Sequence, residues 1–133
     1  MTADDTTTCA APRHVMRREG EVWTVIFEGR SCQLRDIRGL RHLAYLLARP
    51  SQRIAALDID AFARDGGEAR VEQRDLAIVR ERARVNVTRG LSTALNRLER
   101  YQPELTHHLR ATLRTGVLCS YTPDPRLRLL WET

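Results

Sequence analysis

From Val22 to Phe27 the chain is an unbroken run of β-branched and aromatic residues, which predicts a strand. Glu28-Gly29-Arg30 supplies a turn. Ser31 to Arg35, with Cys32 and Leu34 alternating, returns as a second strand, so Val22 to Arg35 reads as a hairpin. Ile37, Leu40, Leu43, Ala44 and Leu47 then recur at helical spacing, with Asp36 in the N-cap position and Pro50 closing the run. In the segment from Arg53 to Ala63, Ile54, Leu57, Ile59 and Phe62 fit a short strand entering a helical turn. Asp65-Gly66-Gly67-Glu68 is a loop. Val71 to about Tyr101 is helical in composition, and the poor formers Val85-Asn86-Val87-Thr88 predict a break into two helices. Pro103 opens a further helix, Glu104 to Leu113, with Leu105, Leu109 and Leu113 four residues apart. Val117 to Tyr121 and Leu127 to Trp131 read as a C-terminal hairpin joined by Thr122-Pro123-Asp124-Pro125-Arg126.

Residues 1–17 hold Thr, Asp and Ala with almost no apolar partners and are expected to be a disordered tail. Residues 18–133 are expected to form a single domain. The order hairpin, helix, linker, helices, hairpin predicts an α+β fold in which a small sheet packs against helices. Helices followed by a terminal hairpin have the outline of a winged helix-turn-helix, the last hairpin being the wing.

The richest pattern lies between Arg82 and Arg100. At about 100° per residue, Val87, Leu91, Ala94, Leu95 and Leu98 form one apolar stripe that must face the core. Arg82, Asn86, Arg89, Thr93, Asn96 and Arg100 line the opposite face, and no acid interrupts them. Asn and Thr are poor helix formers, and an ordinary solvated face favours Glu, Lys or Gln. These residue types suit a DNA groove: Asn pairs bidentately with adenine, Arg with guanine, and Thr touches a base edge or a thymine methyl. The alternative is a polar surface that merely lacks acids. Gly90, in mid-helix, marks close approach by another element or nothing further.

Composition sharpens this picture. Among the 133 residues, all 22 basic side chains are arginine against 17 acids, a net charge of +5. GC-rich codon usage explains Arg in place of Lys, whereas position is informative. Arg80, Arg82, Arg84, Arg89, Arg97 and Arg100 face only Glu81 and Glu99 in that segment, a local +4. Such a balance predicts a polyanionic partner. Arg114 and Arg126, beside the C-terminal hairpin, are placed where a wing meets phosphates. No run of 18 apolar residues suggests a membrane span and no apolar h-region opens the chain, so a cytoplasmic location is expected. Cys9, Cys32 and Cys119 are odd in number and widely spaced, which fits reduced thiols.

Gly39 to Pro50 resembles the opening helix of winged-helix output domains of bacterial response regulators and related transcription factors. The similarity continues with Arg89 to Leu98 as recognition helix and Arg114-Thr115-Gly116 leading to Tyr121 as entry to the wing. Trp23-Thr24, Phe27-Glu28-Gly29 and Cys119 to Pro125 are similar to a domain appended to large, chiefly actinobacterial, regulators. The resemblance implies a leading sheet, three helices and a wing. Here that leading sheet has two expected strands instead of four, and Glu104 to Leu113 is an extra helix.

Catalytic chemistry finds no constellation. His107-His108 with Cys119, and Cys32 with His42, lack the paired short spacing of zinc sites. Asp58 and Asp60 share a face if that segment is a strand, with neither nucleophile nor phosphate loop nearby. No enzyme activity, cofactor or metal is expected. The expected function is sequence-specific binding of double-stranded DNA, with Arg89, Asn86, Thr93 and Asn96 on base edges and Arg82, Arg84, Arg97, Arg100, Arg114 and Arg126 on phosphates. A homodimer would read two half-sites. The alternative is a protein-interaction or dimerisation module, for which an exposed cluster of Leu129 and Trp131 would argue.

Overall fold

The computed structural model describes residues 14–63, 76–124 and 131–133, and they form an α+β fold. Three antiparallel strands come first: β1 (His14–Glu19), β2 (Val22–Phe27) and β3 (Arg30–Arg35). The β2–β3 loop is two residues long, and both Glu28 and Gly29 have positive φ, 53° and 83°. That is the mirror-image turn whose twist matches the strands it joins, and glycine takes the second position at no steric cost. Alternation sends Trp23, Val25, Phe27 and Leu34 into the core.

His14 to Arg17, expected within the tail, instead open β1. His14, Val15 and Met16 are buried. Their partners are distant in sequence, with the His14 ring 5.0 Å from Phe27 and 5.5 Å from Trp131, so no local pattern announces the strand. β1 also pairs in parallel with β7 (Trp131–Glu132), giving the sheet order β3-β2-β1-β7.

Helix α1 (Arg38–Leu47) follows. Asp36 does not cap it: the capping position is Ile37, with no side-chain hydrogen bond. The Asp36 carboxylate is drawn to stronger donors, accepting from Trp23 Nε1 at 2.7 Å and from Arg41 Nη2 at 2.6 Å. Burial opposes that charge, but the Arg41 and Trp23 hydrogen bonds and the nearby Arg18 hold the carboxyl below its usual range. Arg41 also donates to the Ala63 carbonyl at 3.0 Å, tying α1 to the end of α2 (Ala56–Ala63). The short strand expected ahead of α2 is β4 (Ile54–Ala55). Because α2 is helical, Asp58 and Asp60 point apart: Asp58 is exposed and Asp60 is buried.

The two helices expected over 71–101 are a single described helix, α3 (Leu76–Glu99). Tertiary contacts override the weak propensity at 85–88. Val87 is fully buried, and the Asn86 amide donates to Asp60 Oδ2 at 3.2 Å. α3 crosses α1 at two glycines. A Cβ on Gly39 would fall 1.9 Å from the Gly90 carbonyl oxygen, and one on Gly90 would fall 2.6 Å from His42 Nδ1. Gly90 therefore marks close approach, accepting the loss of helix propensity to let two backbones meet.

α4 (Pro103–Thr112) begins at the expected proline and buries Leu105 and Leu109. Its entry is fixed by Gln102, whose side-chain amide donates to the carbonyls of Arg30 at 2.8 Å and Val25 at 3.3 Å. β5 (Leu113–Arg114) and β6 (Leu118–Tyr121) turn about Gly116 and join β4 in a second sheet of order β4-β6-β5. The expected C-terminal hairpin is thus corrected. β6 takes β4 and β5 as neighbours, while Trp131 pairs with His14 in the first sheet. Residues 125–130, including Arg126 and Leu129, lie outside the described residues. Trp131 packs on the core, stacked with Phe27 and donating to the Tyr121 hydroxyl at 3.1 Å. The described part of the Leu129–Trp131 cluster therefore closes the domain on itself.

Candidate nucleic-acid interface

α3 is presented by what holds its back. Ala83, Val87, Leu91, Ala94, Leu95 and Leu98 are buried, close to the predicted apolar stripe. With that face fixed, Arg82, Arg89, Thr93, Asn96 and Arg100 are exposed on the other side. Arg82, Arg89 and Arg100 have no ion pair or hydrogen bond among the described residues. An arginine without an internal partner keeps all five donors for a ligand.

Two residues expected on this surface are committed elsewhere. Asn86 is half-buried and holds Asp60, which places it in a polar cluster between α1, α2 and α3. Arg84 forks onto Glu81, at 2.9 and 2.6 Å. Its position follows from helix geometry: at about 100° per residue, 84 lies roughly 160° around the axis from the line through 82 and 100. Arg114 is exposed on β5, opposite Ser120 in the second sheet. Asn96 stays on the face, its Oδ1 accepting from Arg110 Nη2 at 3.1 Å. The same guanidinium donates to Glu99 at 3.3 Å, so the nearest acid of α3 is already neutralised. Asn96 keeps its amide donors and a second lone pair.

The C-terminal half of α3 also borders a groove of about 590 Å³, lined by Gln33, Leu34 and Arg35 of β3 together with Thr93, Asn96, Arg97, Arg100 and Tyr101. Among the described residues three arginines and no acid line it. Sequence reasoning nominated Thr93, Asn96, Arg97 and Arg100 but missed Gln33, Arg35 and Tyr101. The alternation of β3 exposes Arg35, yet nothing local says that this strand lies beside α3. A second, shallower hollow near the start of α3 is bordered by Ala77, Ile78, Glu81, Arg82 and Val85, with Ile78 57% exposed.

Beneath the face sits the buried cluster. His42 is fully enclosed, its Nε2 3.5 Å from Asp60 Oδ1, and neither ring nitrogen makes a hydrogen bond. At that separation the carboxylate is a weak partner. Burial therefore prevails over the attraction of Asp60, and the imidazole is held below its ordinary pKa. His42 is thus grouped with Asp60 and Asn86 instead of Cys32. His108, weighed with Cys119 as a candidate set and set aside on spacing, bonds the Tyr121 hydroxyl at 2.9 Å, and Cys119 Sγ donates to the Gly116 carbonyl. Burial raises both described thiols, Cys32 and Cys119. Among the described residues no helix is long and apolar enough to cross a membrane, and no group of three or more His, Cys, Asp or Glu is placed to hold a metal. No family model, curated protein or solved structure matches the chain.

Proposed function

We propose that this protein binds double-stranded DNA through the exposed face of α3, as a winged-helix-like regulator of transcription, similar to the output domains that its first helix and recognition-helix segment resemble. The observation that carries the reading is the line of Arg82, Arg89 and Arg100, unpartnered among the described residues, with Thr93 and Asn96 between them and no acid. Its chemistry is that of a groove reader, since Arg forks match guanine and phosphate and the amide of Asn matches adenine. From Arg82 to Arg100 the helix rises about 27 Å, more than twice the ~12 Å width of the major groove. The middle of the line, Arg89, Thr93 and Asn96, is therefore assigned to base edges, and the ends, Arg82 and Arg100, to the flanking phosphates. Arg84 and Asn86 are left out of the contact set because both are already engaged.

Selection from a randomised duplex pool tests this directly. Enrichment of a defined site is expected, and Arg89→Ala should relax preference by about 1–3 kcal/mol at one base-pair position. An unenriched pool, or an Arg89→Ala variant with unchanged preference, would overturn the reading. A second reading, self-association through α3, is favoured by exposed Ile78 in its apolar hollow. Sedimentation velocity separates the two: a dimer lost in Ile78→Ser, with no DNA retained by the native chain, supports self-association alone.

A further inference from the structure

The line on α3 accounts for one side of the groove and leaves the other without a role. That other side is β3, the outer strand of the first sheet, so among the described residues one edge of its backbone has no neighbouring strand. Gln33 and Arg35 stand two residues apart on it, opposite Thr24 and Val22 of β2. Arg35 is exposed and, like Arg97 and Arg100, has no ion pair among the described residues. Three cations converging on one concave surface repel one another unless an anion lies between them. An internal carboxylate would have relieved this, and Glu99 is the natural candidate, yet it is turned away onto Arg110. The groove is also an open trough running along a helix and a strand. From Thr93 to Arg100 its helical wall rises about 10.5 Å, the axial rise of about three nucleotides of one strand of duplex DNA.

We propose that this groove seats the sugar-phosphate backbone of one DNA strand, with Arg35, Arg97 and Arg100 holding phosphates and Gln33 donating to a phosphate oxygen. The inference rests on the DNA reading of α3 and extends it, because it makes the N-terminal sheet part of the binding surface. The sheet is then a clamp. α3 enters the major groove while β3 grips the strand at its rim, which fixes how far along α3 the duplex can slide. Arg97 fits this division, since it lies about 60° around the helix from the Arg82–Arg100 line and lines the groove with β3.

The test is a salt series on a fixed duplex with the full chain and four variants, Arg35→Ala, Arg35→Lys, Arg89→Ala and Arg17→Ala. Arg17 is the control, an exposed arginine two strands away on β1. For Arg35→Ala the slope of log affinity against log salt should become shallower by about 0.9, the signature of one phosphate contact. Between 50 and 200 mM salt the protein would then lose about 3.5-fold less affinity than the native chain, on every sequence alike. Arg35→Lys should restore most of the slope, and Arg17→Ala should leave it unchanged. Matched melting curves establish that each variant is folded. An Arg35→Ala slope equal to that of Arg17→Ala, while selection from the randomised duplex pool still shows an altered preference for Arg89→Ala, overturns the clamp and leaves the DNA reading standing. Absence of duplex binding by the native chain overturns both.

Discussion

Replacing Gly39 by Ala tests the contact that aims α3. The new methyl would sit 1.9 Å from the Gly90 carbonyl oxygen, 2.6 Å from its carbon and 3.1 Å from Ala94 Cβ. Two of these atoms are backbone in the middle of a long helix and cannot swing aside. To reach even a tight contact of 3.0 Å, α1 and α3 must separate by about 1 Å. A gap of that size forfeits a quarter to a half of the dispersion energy across the facing atoms. Overpacking of a well-filled core costs about 1–3 kcal/mol and sometimes more, while Ala returns about 1 kcal/mol of helix propensity. With backbone opposing backbone the upper end applies, so Gly39→Ala should lose about 2 kcal/mol net. At about 4 °C per kcal/mol for a domain of this size, Tm falls by about 8 °C in a melt followed by circular dichroism. Gly20→Ala is the comparison: Gly20 has φ of 67° with open space around it, so only backbone strain of about 1–2 kcal/mol applies. A Gly39→Ala protein that melts at or above the native temperature would refute the packing of α1 on α3.

Further outcomes follow from the buried polar groups. Because burial lowers the pKa of both His42 and His108, the unfolded chain takes up protons first on acidification; stability should be full above about pH 6.5 and fall below it, more gently in His42→Gln, as urea midpoints across pH 5–8 would reveal. Asp36→Ala strips the acceptor from Trp23 Nε1 and the counter-charge from Arg41, and should cost about 2–3 kcal/mol in the same assay; a loss below about 0.5 kcal/mol would show that the network contributes little. Asn86→Ala should lower stability by about 1–2 kcal/mol through the lost Asp60 hydrogen bond while leaving duplex affinity unchanged, and a reduced affinity in the folded variant would return Asn86 to the binding face.

How far the residues announced this structure depends on the range of the contacts that decide each part. The β2–β3 hairpin and α1 were legible because alternation and helical spacing are local signals, and Glu28-Gly29 is a strong turn. The buried stripe of α3 was legible for the same reason. β1 was not, because His14 and Met16 look unpartnered until Phe27 and Trp131 arrive from elsewhere in the chain. The continuity of α3 across Asn86 was hidden too, since an unfavourable stretch is held helical by Val87 in the core and Asp60 on a neighbouring helix. In the candidate interface, helical periodicity identified the exposed line, but it could not tell that Arg84 turns to Glu81 or that Arg35 of another layer faces Arg97 and Arg100.

If the acid-free face of α3 is a surface for duplex DNA, equilibrium affinity must depend steeply on salt concentration. With Arg35, Arg82, Arg97 and Arg100 on phosphates, log affinity should fall linearly with log salt at a slope of about −3.6. Failure to bind duplex at 50 mM salt, or an affinity that does not change across the series, would contradict it.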